Sequence, residues 1–334
     1  MRLPHFEFFK PATLEEALTV LSEHKDKAKI IAGGTDLLPR MKKWVQKPEV
    51  IVSLNALDKL STIKAEADSL KVGALTTVQQ VAASSLIQDK FPFLAEAAHS
   101  VGTLQLRHMG TIGGNICQDS RCWYYDHAYL FGQEVWKTCF KRGGDLCHVV
   151  KKGKKCYAVY SSDIAPVLTA LDAKVELLGM QGERTVPLAN IFSGVGDRVH
   201  RIGAEEIMTE IRIPNPPPRS VGIYLKERDR GSIDYPIVGV AALLTVDVNG
   251  GTEDVKVILT SVGSSPIKAV KAEDVLKGSQ LNEELIDEAA NQASKEIHPV
   301  SNHNFPARYL RELIKTLVKE ACMQTWELAG KGGA

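Results

Sequence analysis

The sequence predicts an α+β protein in two parts: a longer region where short strands and helices alternate, then a C-terminal α+β domain with a small antiparallel sheet and helices. Three observations carry this prediction. Apolar segments of strand length alternate with helical periodicity up to about residue 215. Pro216-Pro217-Pro218 then interrupts the chain with a stiff stretch that neither a ladder nor a helix tolerates. Beyond it Asn249-Gly250-Gly251 separates two apolar runs as a hairpin turn does, and only helical periodicity follows.

Thr13, with Glu15 and Glu16 behind it, caps a helix whose Leu14, Ala17, Leu18 and Leu21 recur on one face. Residues 29–32 read as a strand running into Gly33-Gly34-Thr35-Asp36, and 37–45 as the helix after that turn. Residues 50–54 and 70–74 are further strands, and Thr76-Thr77 caps a helix over 78–83. A helix over 93–101 precedes a glycine-rich turn at 110–115 and a cysteine-rich stretch. Asp163 leads into a helix over 164–171, and 172–178 pairs with 183–186 around Gln181-Gly182. After the prolines come strands over 222–227, 236–248 and 254–261, then helices over 272–277, 282–296 and 307–329.

At 334 residues the chain has room for two or three cores. Hydrophobic residues at 44% and charged residues at 24% exclude a disordered chain and a coiled coil. With 41 Lys+Arg against 40 Asp+Glu, no global basic surface for nucleic acid or an anionic membrane is expected. The longest apolar runs, such as 237–246, are far shorter than the ~18 residues that span a bilayer. The opening Met1-Arg-Leu-Pro-His-Phe has no apolar signal core, so a cytoplasmic location is expected.

Ala32-Gly33-Gly34-Thr35-Asp36 follows a strand and precedes a helix, where unobstructed amides can close on a phosphate. The spacing is neither G-x-G-x-x-G nor a P-loop, and two adjacent glycines also make an ordinary tight turn. A second such element, Thr111-Ile-Gly113-Gly114-Asn115, lies in the same region, and two glycine turns can hold one long ligand from both sides.

Of six cysteines, Cys122, Cys139, Cys147 and Cys156 cluster in one segment, with Cys117 just before it and Cys322 alone in an apolar helix. In a reducing compartment such clustering reads as ligands before it reads as cross-links. No C-x-x-C pair is present, so neither the usual zinc knuckle nor a ferredoxin run matches; the wide spacing suits a loop wrapped round a compact iron–sulfur cluster. Between Arg121 and Tyr157 eight Lys/Arg stand against three Asp/Glu, a local excess that would help compensate an anionic cluster. A zinc site, or a solvated basic loop with unrelated thiols, remains open on spacing alone. His148 is an alternative ligand, though a surface position is the simpler expectation. No Ser/His/Asp set or H-E-x-x-H occurs, so the chain offers electron-transfer parts and no catalytic group.

Taken in order, Ile31-Ala-Gly-Gly-Thr-Asp-Leu-Leu38, Thr111-Ile-Gly-Gly-Asn115, Ser162-Asp-Ile-Ala-Pro166, Lys226-Glu-Arg-Asp-Arg230 and Asp234-Tyr-Pro-Ile-Val-Gly-Val-Ala-Ala242 resemble the FAD-binding medium subunit of the molybdenum hydroxylase (xanthine dehydrogenase) family. The resemblance spans nearly the whole chain. It implies a two-lobed FAD-binding domain of the CO dehydrogenase flavoprotein type over 1–215, with lobes of about 1–55 and 56–215, and a C-terminal α+β domain over 216–334. The first glycine loop, Ile31, Ala32, Gly33, Gly34, Thr35, Asp36 and Leu37, would hold the pyrophosphate. Thr111, Gly114, Asn115, Asp163 and Lys226 would contact the rest of the cofactor. Without the family match Asp163 reads as a helix N-cap and Lys226 as an exposed strand residue.

Most members lack the cysteine segment. Gln118-Asp-Ser-Arg-Cys122, Lys141-Arg-Gly-Gly-Asp-Leu-Cys-His148 and Lys155-Cys-Tyr-Ala158 are similar to the 4-hydroxybenzoyl-CoA reductase β subunits, whose inserted loop, here about 117–160, carries a [4Fe–4S] cluster. This implies Cys122, Cys139, Cys147 and Cys156 as iron ligands. It also implies a molybdenum-cofactor large subunit and a [2Fe–2S] small subunit as partners, a dimer of such heterotrimers, and electrons arriving from ferredoxin. An FAD subunit of a molybdenum aldehyde or N-heterocycle oxidoreductase is the alternative, and a zinc-stabilised nucleotide-binding assembly module the alternative of another class. Trp123-Tyr124-Tyr125 and Trp136 within the loop have no assigned role.

Overall fold

The first helix begins where Thr13 leaves an extended stretch and its hydroxyl accepts the Glu16 amide at 3.1 Å, while the Glu16 carboxylate reaches back to the Ala12 amide. In the computed structural model, which describes residues 2–127, 137–301 and 305–331, this helix α1 (Leu14–His24) turns Ala17, Leu18 and Leu21 onto a parallel three-stranded sheet. The sheet orders β1 (Glu7–Phe9), β3 (Val50–Ser53) and β2 (Ala28–Ile31). Between β2 and β3 lies α2 (Leu37–Lys42), shorter than the 37–45 expected. Trp44 adopts a left-handed conformation, φ 57°, and the Val45 amide returns to the Arg40 carbonyl, which ends the helix.

A mixed-connection sheet follows, ordered β4 (Ile63–Ala65), β5 (Ser69–Gly73), β8 (Ile207–Pro214), β6 (Lys174–Gly179) and β7 (Gly182–Pro187), with every neighbouring pair antiparallel. Helices α3 (Val78–Ala83), α4 (Ser85–Lys90) and α5 (Pro92–Ser100) pack its core. Thr77 and Gln80 close a capping box on α3. Helix α6 (Leu104–Met109) then leads to residues 112–116, expected as a turn, which form α7 (Ile112–Ile116) because the Thr111 hydroxyl accepts the Gly114 amide and caps it. A single turn, α8 (Trp123–Asp126), follows Cys122 inside the cysteine segment, and the helix α9 (Ile164–Ala170) comes after it.

The C-terminal sheet orders β12 (Ile267–Lys268), β11 (Thr252–Thr260), β10 (Val238–Val246) and β9 (Ser220–Glu227), all antiparallel, with β10 and β11 joined by the expected hairpin. Asp247 builds that turn by accepting the Asn249 and Gly251 amides. Strand β10 is apolar on both faces for a reason: Ala241 and Leu243 join the core of the preceding sheet, while Val240, Ala242 and Leu244 join a core under α10 (Val270–Leu276), α11 (Glu283–Glu296) and α12 (Ala307–Lys331). Cys322 lies in that second core, as expected of a small hydrophobe. No helix among the described residues is long and apolar enough to cross a membrane.

Candidate functional site

The two glycine turns meet. A Cβ on Gly33 would fall 1.8 Å from the Met109 carbonyl oxygen, so the first turn is pressed directly on the chain entering the second. Gly34 has φ 69°, a conformation side chains rarely adopt. Glycine is therefore required here by the protein's own packing, whatever the turn binds. The same turn leaves the amides of Gly33, Gly34, Thr35 and Asp36 without a protein acceptor among the described residues, and residues 31–37 are all half-buried. Open amides in a half-buried cradle fit a phosphate. Gly114 is exposed, and a Cβ there would meet only the Thr111 hydroxyl, at 2.9 Å.

The polar residues beside this cradle are already paired. Asn115 accepts from Ser162 Oγ at 2.5 Å, and Ser162 in turn caps α9 through the Ala165 amide. Asp163 stands at the N-cap position of α9 yet makes no cap bond; its carboxylate accepts from Tyr224 at 2.8 Å and from Lys226 Nζ at 3.0 Å. Lys226 also donates to the Ser100 carbonyl, and its side chain is 5% exposed. The simple cap and the exposed strand residue are both excluded by this pair. Burial pushes the Asp163 carboxyl up and the Lys226 ammonium down, against their mutual attraction. Motifs 63 residues apart in sequence thus meet beside Ser100, close to the turn holding the second glycine element.

Cys122, Cys139, Cys147 and Cys156 all line one small cavity. Two backbone ladders bring them there. Arg121 and Val159 exchange both amide bonds, which seats Cys122 near Cys156, and Cys139 bridges Leu146, which seats it near Cys147. Cys122, Cys139 and Cys156 are buried, and burial pushes the Cys122 thiol up to about 11 and Cys156 up to about 12. Cys147 is half-buried and accepts the Val150 amide at 3.4 Å. His148 lines the same cavity, bonded to Thr138 and tilted against Tyr124, rather than standing on the surface. Cys117 does not line it and is exposed at the end of α7. Among the described residues no three Cys, His, Asp or Glu side chains close on a point at single-ion distance. The four cysteines border this cavity, whose volume is about 10 Å³. Trp136 and Glu134 lie outside the described residues.

Sequence reasoning missed the charged residues that connect the two sites. Arg40 is 3% exposed and bonds Asp36, Asp126 and the carbonyls of Asp119 and Ser120. Arg121 bonds Asp36 at 2.8 Å and lies against the Tyr235 ring. Asp36, expected at the cofactor, therefore spends its carboxylate on two arginines and the Asp119 amide and offers only its own backbone to a ligand. The Asp36/Arg40 spacing of four on α2 is the only local signal of this network. A wider cavity of about 370 Å³, bordered by Arg121, Trp123, Ser161, Tyr235 and Phe305, opens where the cysteine segment meets the C-terminal sheet. Trp123 packs tilted against His127 there, and Lys141 and Arg142 lie over the Tyr125 ring.

Residues 4–216 match the family described as the FAD binding domain in molybdopterin dehydrogenase, and residues 223–325 the CO dehydrogenase flavoprotein C-terminal domain. Over 319 residues the chain is 29% identical to the 6-hydroxypseudooxynicotine dehydrogenase complex subunit alpha of Paenarthrobacter nicotinovorans, covering 96% of this chain and 94% of that one. It is 28% identical to the glyceraldehyde dehydrogenase medium chain of Sulfolobus acidocaldarius, covering 95% and 97%. Among solved structures it is similar to the carbon monoxide dehydrogenase of Hydrogenophaga pseudoflava that lacks the Mo-pyranopterin moiety, with TM-score 0.81, 26% identity, and coverage of 98% and 99%.

Proposed function

The chain belongs to the FAD-binding subunits of the molybdenum hydroxylase family, oxidoreductase subunits with a CO dehydrogenase-type flavoprotein fold, and on that premise we propose that it relays electrons between FAD and a [4Fe–4S] cluster of its own. The single observation that supports the cluster is the gathering of Cys122, Cys139, Cys147 and Cys156 on one cavity, in a segment rich in Lys and Arg. In this reading the FAD-binding unit runs over 1–215, with lobes of about 1–55 and 56–215 and the iron–sulfur insertion at about 117–160, and 216–334 is the C-terminal domain. The 31–37 turn takes the pyrophosphate through its open amides. Thr111, Gly114 and Asn115 border the rest of the cofactor, and the Asp163–Lys226 pair sets the charge beside it. FAD supplies electron exchange singly or in pairs, and the cluster exchange one at a time. The chain's own residues bind, orient and shield; none is a proton donor or acceptor toward a substrate.

Substrate chemistry then belongs to partners, a molybdenum-cofactor subunit and a [2Fe–2S] subunit. The flanks of the four cysteines support reduction of 4-hydroxybenzoyl-CoA with ferredoxin as donor. The names of the two relatives, a 6-hydroxypseudooxynicotine dehydrogenase and a glyceraldehyde dehydrogenase, favour a second reading for the whole enzyme, oxidation of an N-heterocycle or an aldehyde. The basic loop offers an acidic ferredoxin a docking surface, an attraction that salt screens over about 8–10 Å. Stopped-flow reduction of the chain by reduced ferredoxin should slow as salt rises; a salt-independent rate removes the loop as docking site. Turnover of 4-hydroxybenzoyl-CoA, nicotinate or an aldehyde should appear only once the partner subunits are added, and which of the three is turned over decides between the readings. Turnover by this chain alone contradicts the relay.

A further inference from the structure

We propose that Arg40 and Lys141 form a buried two-cation bridge that holds the cysteine cavity in register with the flavin-binding glycine turn, so that occupancy of either site strengthens the other; this rests on the reading that the cavity holds an iron–sulfur cluster. Arg40 sits one helical turn beyond the 33–36 loop and donates to Asp36 at 3.2 Å and to Asp126 at 3.1 Å. Asp126 accepts the backbone amide of Cys122 at 3.1 Å, so one guanidinium joins the glycine turn to the first cysteine. Asp119 carries the bridge onward. Its amide donates to Asp36 at 3.1 Å, its carboxylate lies 3.5 Å from Arg40, and the same carboxylate accepts from Lys141 Nζ at 2.6 Å. Lys141, two residues after Cys139, also donates to the Gly196 carbonyl at 2.8 Å, and the Gly196 amide donates to the Cys156 carbonyl at 3.0 Å.

Three of the four cysteines are thus tied by backbone or immediate neighbours to the turn that would hold the pyrophosphate. Both cation side chains are almost wholly out of solvent, at 4% and 3% exposure. Buried ion networks are a poor source of net stability compared with apolar packing, but they fix geometry sharply because breaking one member leaves a buried charge unpaired. A network of that kind laid between two ligand sites, and reaching the backbone of both, positions them relative to each other. Neither cation is placed here at the reacting atoms; both are positioning residues.

The test is the linkage itself. The full chain is prepared iron-loaded and iron-stripped, and the FAD dissociation constant is measured for each in wild type, Arg40→Met, Arg40→Lys and Lys141→Met. In wild type, stripping iron should weaken FAD about fivefold or more, the lower end of ordinary site-to-site coupling. In Arg40→Met and Lys141→Met the ratio should fall to about one, and Arg40→Lys, which keeps the charge and loses the fork, should fall between. A merely structural role would lower FAD affinity in both iron states and leave the ratio unchanged, which overturns the bridge, as does a wild-type ratio of one. If Arg40→Met does not fold, Lys141→Met at the far end decides alone. A wild-type chain that binds FAD but takes up no iron overturns the underlying reading instead, and does so before any variant is made.

Discussion

Gly34 shows how one residue can answer two demands. Its positive φ and the neighbouring Leu38 and Ile31 side chains already forbid a larger residue, so Gly34→Val would disturb the fold as well as any ligand. Gly114 is the cleaner probe. It is exposed, and an added Cβ would meet only the Thr111 hydroxyl, whose cap is worth about 1 kcal/mol. Gly114→Val should therefore abolish stoichiometric FAD while thermal stability stays nearly unchanged; retained FAD, read from the flavin absorbance of the purified variant, would remove Gly114 from the cofactor site. The cysteines divide in the same manner. Alanine at Cys122, Cys139, Cys147 or Cys156 should empty or degrade the iron site while saturating FAD still binds, whereas Cys117→Ala and Cys322→Ala should leave iron unchanged. Bleaching by Cys117→Ala but not by Cys122→Ala would redraw the ligand set. The glycines and cysteines stand out in the sequence because their chemistry is unusual. Asp36, Asp163 and Lys226 were legible only as types: which carboxylate pairs with which cation depends on chain segments dozens of residues apart.

Elements were read best where periodicity or a cap carried the signal. Thr13 and Thr77 cap as expected, and the β10–β11 hairpin forms at Asn249-Gly250-Gly251. Strand β8 was not expected although Ile207, Ile211 and Ile213 share one face, because Thr209, Glu210 and Arg212 interrupt the apolar pattern. It is nevertheless the centre of the five-stranded sheet. The residues just before it tie it to β7: Arg184 donates to both carboxylate oxygens of Glu206, at 2.6 and 2.7 Å, and these bonds hold the Glu206 carboxyl below its ordinary value. A carboxyl depressed in the folded state binds its proton more weakly there than when unfolded, so its contribution is complete above about pH 4.5 and is lost as pH falls through the folded value. Urea midpoints taken from pH 6 down to pH 3 should fall less steeply in Arg184→Met than in wild type; parallel curves would show that the pair contributes nothing. The pair is partly exposed, so the difference should be at most about 1 kcal/mol.

At the scale of the whole molecule, β10 is the wall between two cores, its alternate residues packing into each. The two-part architecture was legible in the triple proline and the change of periodicity. The joining of the two candidate sites was not, since it runs through Arg40, Asp119 and Lys141, ordinary surface-type residues that become a buried network only after the cysteine segment folds back on α2. The account's central claim is that one chain carries both a flavin and an iron–sulfur cluster. Its most direct test is anaerobic purification of the full chain followed by flavin, iron, sulfide and zinc analysis with electron paramagnetic resonance of the reduced protein. The account predicts one FAD with about four iron and four sulfide per chain, and a cluster signal that vanishes when Cys122 is replaced. A yellow protein with FAD and no iron, or a colourless one holding zinc, would contradict it.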